Sequence, residues 1–449
     1  MGVIGLELDH NITVKFYFSL ASTNPLYILI SLNRKIMVMI RSNNITLLLL
    51  VLLFGFTSCD NSIDNPIQDP AGEITGSAID FQKAVINYGL STFQKVISEG
   101  NENVLISPLS LETALYMAMN GANDKTLEEF RVALKLEQFY PQGMNPHYKA
   151  LIDKLEPKNE STRLGIANTV FYDEKMVTFH EKFKETVADV FDGDFNQANF
   201  GDEGSVDRIN DWIEDKTEGR IEKILEEIND DEALFLISAL FYKSDWEKGF
   251  LPTLTFQKPF TNEDNEEILV EQMYSDDYRR YYTGLDFSAV DLKFTDDEYS
   301  MTFILPGYGI STKDFVLGYN ETEFYDFYID LYTNKLQEGR IVTKLPKFKI
   351  RAHKNMKEIL IDMGMKEAFE FADFSNMGTF MGSPYLSRVL HDTFLKIDEK
   401  GAEGGAVTAV GVAAESAPPT IEFNRPFVFI IRHVETNTPV FIGKLGNPE

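Results

Sequence analysis

Near the C-terminus, between two strand-like segments, lies a stretch whose composition suits neither an ordinary loop nor an ordinary strand: Ile397 to Pro419, IDEKGAEGGAVTAVGVAAESAPP. More than a dozen of its residues are small, and none from Gly404 to Ala414 is charged. Exposed loops punctuate with Asn, Asp, Pro and charges, which make turns and stay hydrated. Ala, Val and Thr in this run instead suit an extended segment whose side chains alternate between two faces that can be buried. A fold containing this stretch must carry it as an exposed connection and also be able to accept it as a strand.

Elsewhere, helical periodicity comes first along the chain. Phe81, Val85, Tyr88, Val96 and Ile97 fall on one face, and Ser107-Pro108-Leu109-Ser110 reads as an N-cap opening a helix through Met119. Val206, Ile209, Trp212 and Ile213 are spaced for another helix before Gly219. Strands then dominate. ALFLISALFYKSDW (Ala233 to Trp246) and EYSMTFILPG are continuous apolar runs, as expected of strands covered on both faces. RIVTKLPKFKI, SRVLHDTFLKIDEK, RPFVFIIRHV and PVFIGKL add more, the last two joined as a hairpin through Glu435-Thr436-Asn437-Thr438. Helices followed by strands indicate an α+β domain. Its extent, residues 79–449, exceeds the usual domain length, yet no linker divides it and no internal repeat is found.

Residues 1–58 read as an upstream extension and export signal. Arg41 precedes an apolar run from Leu47 to Phe56, half the ~20 residues that a membrane-spanning helix needs, and small residues lead up to Cys59. Initiation at Met37 or Met39 is expected in place of Met1. The FTSC ending is similar to the lipobox of bacterial lipoproteins, with Phe56 where Leu is usual. Cys59 is therefore the expected lipidation site, anchoring an exported protein to a membrane of the cell envelope, and residues 59–78 form a polar tether. The alternative is an ordinary secretory signal, an extracellular protein and a free Cys59.

Cys59 is the sole cysteine, which excludes an internal disulfide, a thiolate metal cluster and a cysteine nucleophile within the domain. The formal charge is −28; residues 1–58 hold four basic and two acidic residues, a balance of +2, so the chain from Cys59 onward carries −30. Nucleic acid is not an expected partner, because phosphate backbones are bound by concentrated Lys and Arg. None of the six histidines forms an H-E-x-x-H or H-x-H pattern, and neither a G-x-S-x-G elbow nor a phosphate-binding loop is present. With 70 acidic residues, choosing a catalytic carboxylate pair would be arbitrary. His391, inside VLHDTFLKI, reads first as a satisfied core histidine. No enzymatic activity, metal or cofactor is expected.

Several motifs, taken in order, resemble the serpins, the serine protease inhibitor family. They are NVLISPLSLETALYMAMNGA, INDWIEDKTEGRI, LPKFKI, FADFSNM, LHDTFLKIDEKGAEGGAVT, FNRPFVFIIRH and PVFIGKLGNP, covering about residues 79–449. The resemblance implies the serpin fold: a large central mixed β-sheet with further sheets, surrounding helices and an exposed reactive-centre loop. That loop is the stretch from Ile397 to Pro419, offered to a protease as bait. The resemblance also implies a metastable native state, in which cleavage lets the loop insert as an added strand of the central sheet. The expected function is suicide-substrate inhibition of serine, or secondarily cysteine, endopeptidases by a monomer. The alternative is a non-inhibitory serpin acting as a binding or structural lipoprotein. Such relatives commonly have charged or bulky hinges; after Glu399, the hinge residues Gly401, Ala402, Gly404, Gly405, Ala406 and Thr408 are small, and Glu403 is the only charge among them.

The resemblance carries further positions one at a time. Glu399 and Lys347 match a salt-bridged pair where the loop enters the sheet, Trp246 the tryptophan beside it, and Ser107, Ser110 and His391 residues at the sheet's central opening. Ser238 stands where the family usually has Asn. The residue cut after lies sixteen positions beyond the hinge glutamate, which from Glu399 reaches Glu415. The expected reactive bond is therefore Glu415-Ser416, calling for a glutamyl-specific protease. The alternative, Ala414-Glu415, suits an elastase-like enzyme.

Overall fold

The computed structural model describes residues 76–100, 103–159, 161–202, 204–229, 232–402 and 418–448, and three short strands near the N-terminus. In the first unit, Met1–Gly72, the strand Val14–Phe18 pairs antiparallel with Ile4–Leu8 on one side and Leu26–Ile30 on the other. No strands were expected in residues 1–58, but VKFYF and LYILI are rich in aromatic and β-branched residues, which favour extended backbone. Cys59 and tether residues 60–75 lie outside the described residues.

The second unit spans Glu73–Glu449. Its first helix, Ala78–Ser98, starts one residue before the expected boundary at 79. The cause is a reciprocal cap: Ser77 Oγ accepts from Asp80 N, and the Asp80 carboxylate accepts from Ser77 N. Phe81, Val85, Tyr88, Val96 and Ile97 are all buried. A second helix, Pro108–Gly121, opens with Ser107 Oγ accepting from Ser110 N and with Pro108 where no backbone donor is needed. Almost every residue of this helix is buried, so it runs through the core instead of lying on it.

Two large sheets enclose that core. The nine-stranded sheet runs in the order Thr420–Glu422, Gln337–Pro346, Glu267–Thr283, Phe287–Lys293, Tyr299–Pro306, Phe427–His433, Pro439–Leu445 and Val104–Ile106, with Phe256–Thr261 added beside Glu267–Thr283. Tyr299–Pro306 is buried at every position, as a mostly apolar strand covered on both faces requires, and the buried Thr302 hydroxyl donates to Asp291 Oδ1 at 2.7 Å. The hairpin Phe427–His433 and Pro439–Leu445 forms as expected.

The central sheet has six strands in the order Phe348–Asn355, Leu390–Ile397, Gly401–Ala402, Leu234–Asp245, Arg163–Tyr172 and Gly193–Gln197. It is mixed: Arg163–Tyr172 pairs parallel with Gly193–Gln197 and antiparallel with Leu234–Asp245. Both faces of Leu234–Asp245 are covered. Leu240 and Tyr242 enter the main core, while Phe235, Ile237 and Ala239 pack with Ile209 and Ile213 of the helix Ser205–Lys216 and with Ile221, Ile224 and Leu225 of the segment that follows it. The stretch RIVTKLPKFKI is two strands, one in each sheet, with Lys347 at the corner between them. Pro346 cannot donate to a ladder, which ends the first strand there.

Candidate functional site

The start of the suspect stretch is already inside the central sheet. Gly401 and Ala402 pair antiparallel with Asp245 and Ser244 on one side, and Ala402 pairs with Ile397 on the other. Among the described residues, no ladder joins Leu234–Asp245 directly to Leu390–Ile397, and the two hinge residues pair with both. A Cβ at Gly401 would lie 2.2 Å from the carbonyl oxygen of Ser244, and its φ of +156° disfavours any other residue. Ala402 is fully buried. The chain reappears at Pro418 and joins the other sheet, where Thr420–Glu422 runs parallel to Gln337–Pro346. Residues 403–417, outside the described residues, therefore connect two different sheets.

Around the hinge, polar groups hold Asp398 to Lys400 from several sides. Lys347 Nζ lies 3.5 Å from Glu399 Oε2 and 3.3 Å from Glu271 Oε2, and Thr255 Oγ1 donates to Glu399 Oε1 at 2.8 Å. Burial disfavours the charge on Lys347, but Glu399 and Glu271 outweigh it and hold its pKa above the ordinary lysine value. Trp246 stacks on Phe294 with ring centroids 4.5 Å apart and donates its Nε1–H to Asp398 O at 3.1 Å. Its backbone N–H bonds Lys400 O, and that of Phe250 bonds Glu399 O, both at 2.8 Å.

Halfway down the sheet, His391 is buried, and its Nε2 accepts a hydrogen bond from Ser107 N at 3.0 Å. Nε2 must then be unprotonated, leaving the proton of the neutral ring on Nδ1. Burial pushes the imidazole down to about 4, with the Asp392 carboxylate opposing. Ser107 thus joins two elements: its hydroxyl caps the core helix and its amide pins the strand Leu390–Ile397. The neighbouring Thr393 Oγ1 donates to Leu105 O at 2.9 Å, so this strand is tied to Val104–Ile106 of the other sheet as well.

A family model described as Serpin (serine protease inhibitor) matches residues 83–448. The chain belongs to the serpin family. It is 31% identical over 365 residues to human antithrombin-III, covering 78% of this chain and 77% of that protein. The native state of tengpin, a thermophilic serpin, is similar in structure with a TM-score of 0.76 and 31% identity, covering 86% of this chain and 97% of tengpin. Human thyroxine-binding globulin, solved with thyroxine, shares the fold with a TM-score of 0.75 at 22% identity, covering 83% of this chain and 100% of that one. The family is described as one of serine protease inhibitors, which are not enzymes.

In this serpin, Glu399, Lys347 and Trp246 are brought together at the hinge end of the sheet, and Ser107, Ser110 and His391 at its middle. Ser238 is opposite Asn168 in the ladder; its side chain lies outside the described residues. So do Gly404, Gly405, Ala406, Thr408 and the candidate bonds at Ala414, Glu415 and Ser416. Thr255 and Glu271 were not singled out from the sequence. Both belong to segments with no distinguishing pattern, and only the fold brings them to Glu399. Nor was Asp392, whose fully buried side chain accepts from His353 Nδ1 at 3.0 Å and lies 3.6 Å from Arg351 Nη2.

The buried neutral imidazole gives a pH dependence. His391 resists protonation when folded and titrates near 6.5 when unfolded, so its contribution is complete above pH 6.5 and is lost as pH falls from 6.5 to about 4. The loss is on the order of 3 kcal/mol. Thermal unfolding scanned from pH 7 to pH 4 should show this decline, and His391→Gln should flatten it; an equally steep decline in the variant would assign it to other groups.

Proposed function

We propose that this serpin is a suicide-substrate inhibitor of serine endopeptidases, secondarily of cysteine endopeptidases. The observation that supports the reading is the hinge: Gly401–Ala402 already forms the first step of an antiparallel ladder that a longer insertion would continue. The protease's serine oxygen attacks the carbonyl carbon of the bait residue. The peptide bond breaks, the new amine stays on the downstream fragment, and the upstream segment remains attached to the enzyme as an ester. Freed at one end, that segment inserts between Leu390–Ile397 and Leu234–Asp245 and carries the protease with it before water reaches the ester. About a dozen new main-chain hydrogen bonds at ~0.5–1.5 kcal/mol each supply on the order of 10 kcal/mol before side-chain burial.

The proposed bait bond is Glu415-Ser416, so the target is an endopeptidase with a basic specificity pocket; a cut at Ala414-Glu415 would mean an elastase-like target instead. Incubation with a panel of glutamyl, elastase-like, subtilisin-like and trypsin-like proteases should give a complex with the glutamyl enzyme that survives denaturant, with a released fragment beginning at Ser416. Ala402→Arg buries an unpaired guanidinium at the seated start of the ladder that insertion must extend, so that variant should be cut without forming complex. Undiminished complex from Ala402→Arg would show that insertion is not required, and cleavage without complex in the native protein would favour a non-inhibitory role.

The protein is further proposed to be an exported lipoprotein held at a cell-envelope membrane through Cys59, on the strength of the FTSC motif after an apolar run. Among the described residues no helix is long and apolar enough to cross a membrane. Membrane fractionation should find the native chain with membrane and Cys59→Ala in the soluble fraction; a soluble native chain with an unmodified N-terminus would refute the anchor.

A further inference from the structure

The hinge end of the sheet is secured by Lys347 and Glu399, but the two strands that must part also run on toward the opposite end. Because Gly401–Ala402 is antiparallel to both, Leu234–Asp245 and Leu390–Ile397 are parallel to each other, and their first residues lie together far from the hinge. Just before those first residues stand Glu232 and Arg388. Arg388 Nε donates to Glu232 Oε1 at 2.7 Å and Nη2 to Oε2, a two-pronged pair, while Nη2 also donates to Glu227 O at 2.8 Å. The Glu232 carboxylate is 1% exposed and also accepts from Asn229 N at 2.7 Å; the guanidinium lies over the ring of Phe235, 5.4 Å from its centroid. On the other side, Arg388 is fixed to the edge strand, since Val389 N donates to Asn355 Oδ1 and Val389 O accepts from Met356 N. Each partner thus belongs to a different half of the sheet.

We propose that Arg388 and Glu232 form a second latch, at the end of the sheet remote from the hinge, that sets how completely a strand can insert. This rests on the inhibitory reading above. The ladder's own register gives the latch its place. Each step along an inserting loop is one step back along its neighbours, so from Ala402 opposite Ile397 the residue meeting Arg388, nine steps back, is Gly411. From Ala402 opposite Ser244, the residue meeting Glu232, twelve steps back, is Ala414. Insertion can therefore begin with the latch shut, but its last residues before the bait bond require the latch to open. The segment that covers this part of the sheet is held by the same side: Arg351 Nη2 donates to Lys223 O at 3.3 Å, as Arg388 does to Glu227 O. Arg388 and Glu232 are positioning residues, since neither meets the protease.

The test uses uptake of a fluorescent synthetic peptide with the sequence of residues 403–414, EGGAVTAVGVAA, by the intact protein, followed by anisotropy. Removing one charge leaves the other buried without its partner, which raises the energy of the closed sheet. Arg388→Gln should take up the peptide roughly fivefold faster or more, and Arg388→Lys should return most of the way to the native rate. The double variant Glu232→Gln with Arg388→Gln, which avoids a lone buried charge and protects folding, should also be faster than the native protein. Arg340→Gln, which breaks the comparable two-pronged pair with Asp276 in the other sheet, should leave uptake unchanged. Equal uptake by the native protein and the Arg388 variants overturns the latch alone. No uptake by any of them overturns the latch together with the inhibitory reading.

Discussion

Two residues, Gly401 and Ala402, stand between the central strands Leu234–Asp245 and Leu390–Ile397 and satisfy backbone groups on both. Among the described residues no ladder joins these two strands directly, yet beyond the hinge they lie close together, so a further strand must part them. Once parted, the two strand edges would offer backbone groups to a further strand, and unpaired edges are strong acceptors of extended chain. The chain that follows Ala402 is rich in small residues and begins at this point of the sheet.

The rest of the molecule can be understood as restraint on that seam. At its mouth, Lys347 joins Glu399 to Glu271, and Thr255 and Trp246 hold the turn from Asp398 to Lys400. At its middle, a neutral His391 fastens one strand to the cap of the core helix. These polar contacts are directional and stand beside the apolar packing of Trp246, Leu395, Ile397 and Ala402 in the main core. The core itself is continuous through both sheets, which gives the seam a rigid frame to open against.

Much of the fold was legible in the sequence, because burial on two faces marks every residue of a strand. Tyr299–Pro306 and Leu234–Asp245 show this, as does the cap at Ser107. The site was legible only where its residues sit inside motifs, as Glu399, Lys347, Trp246, Ser107 and His391 do. Thr255 and Glu271 carry no pattern, and Glu232 and Arg388 are 156 positions apart in a chain with 70 acidic residues, so topology alone selects the partner. The break at Lys347, where one apolar stretch divides between two sheets, depends on Pro346 and on tertiary pairing that periodicity does not record. That Ala402 is already seated in the sheet also had no signature in the sequence, since small residues suit the seated and the free hinge equally.

The central claim is that the sheet accepts the loop once the loop is cut, and that the inserted form lies lower in free energy. Thermal unfolding of the protein before and after a single cleavage within residues 403–417 by a protease it does not inhibit tests this directly, with no need to know the target. The account predicts a large rise in the unfolding temperature of the cleaved form. An unfolding temperature unchanged or lowered by the cut would contradict it.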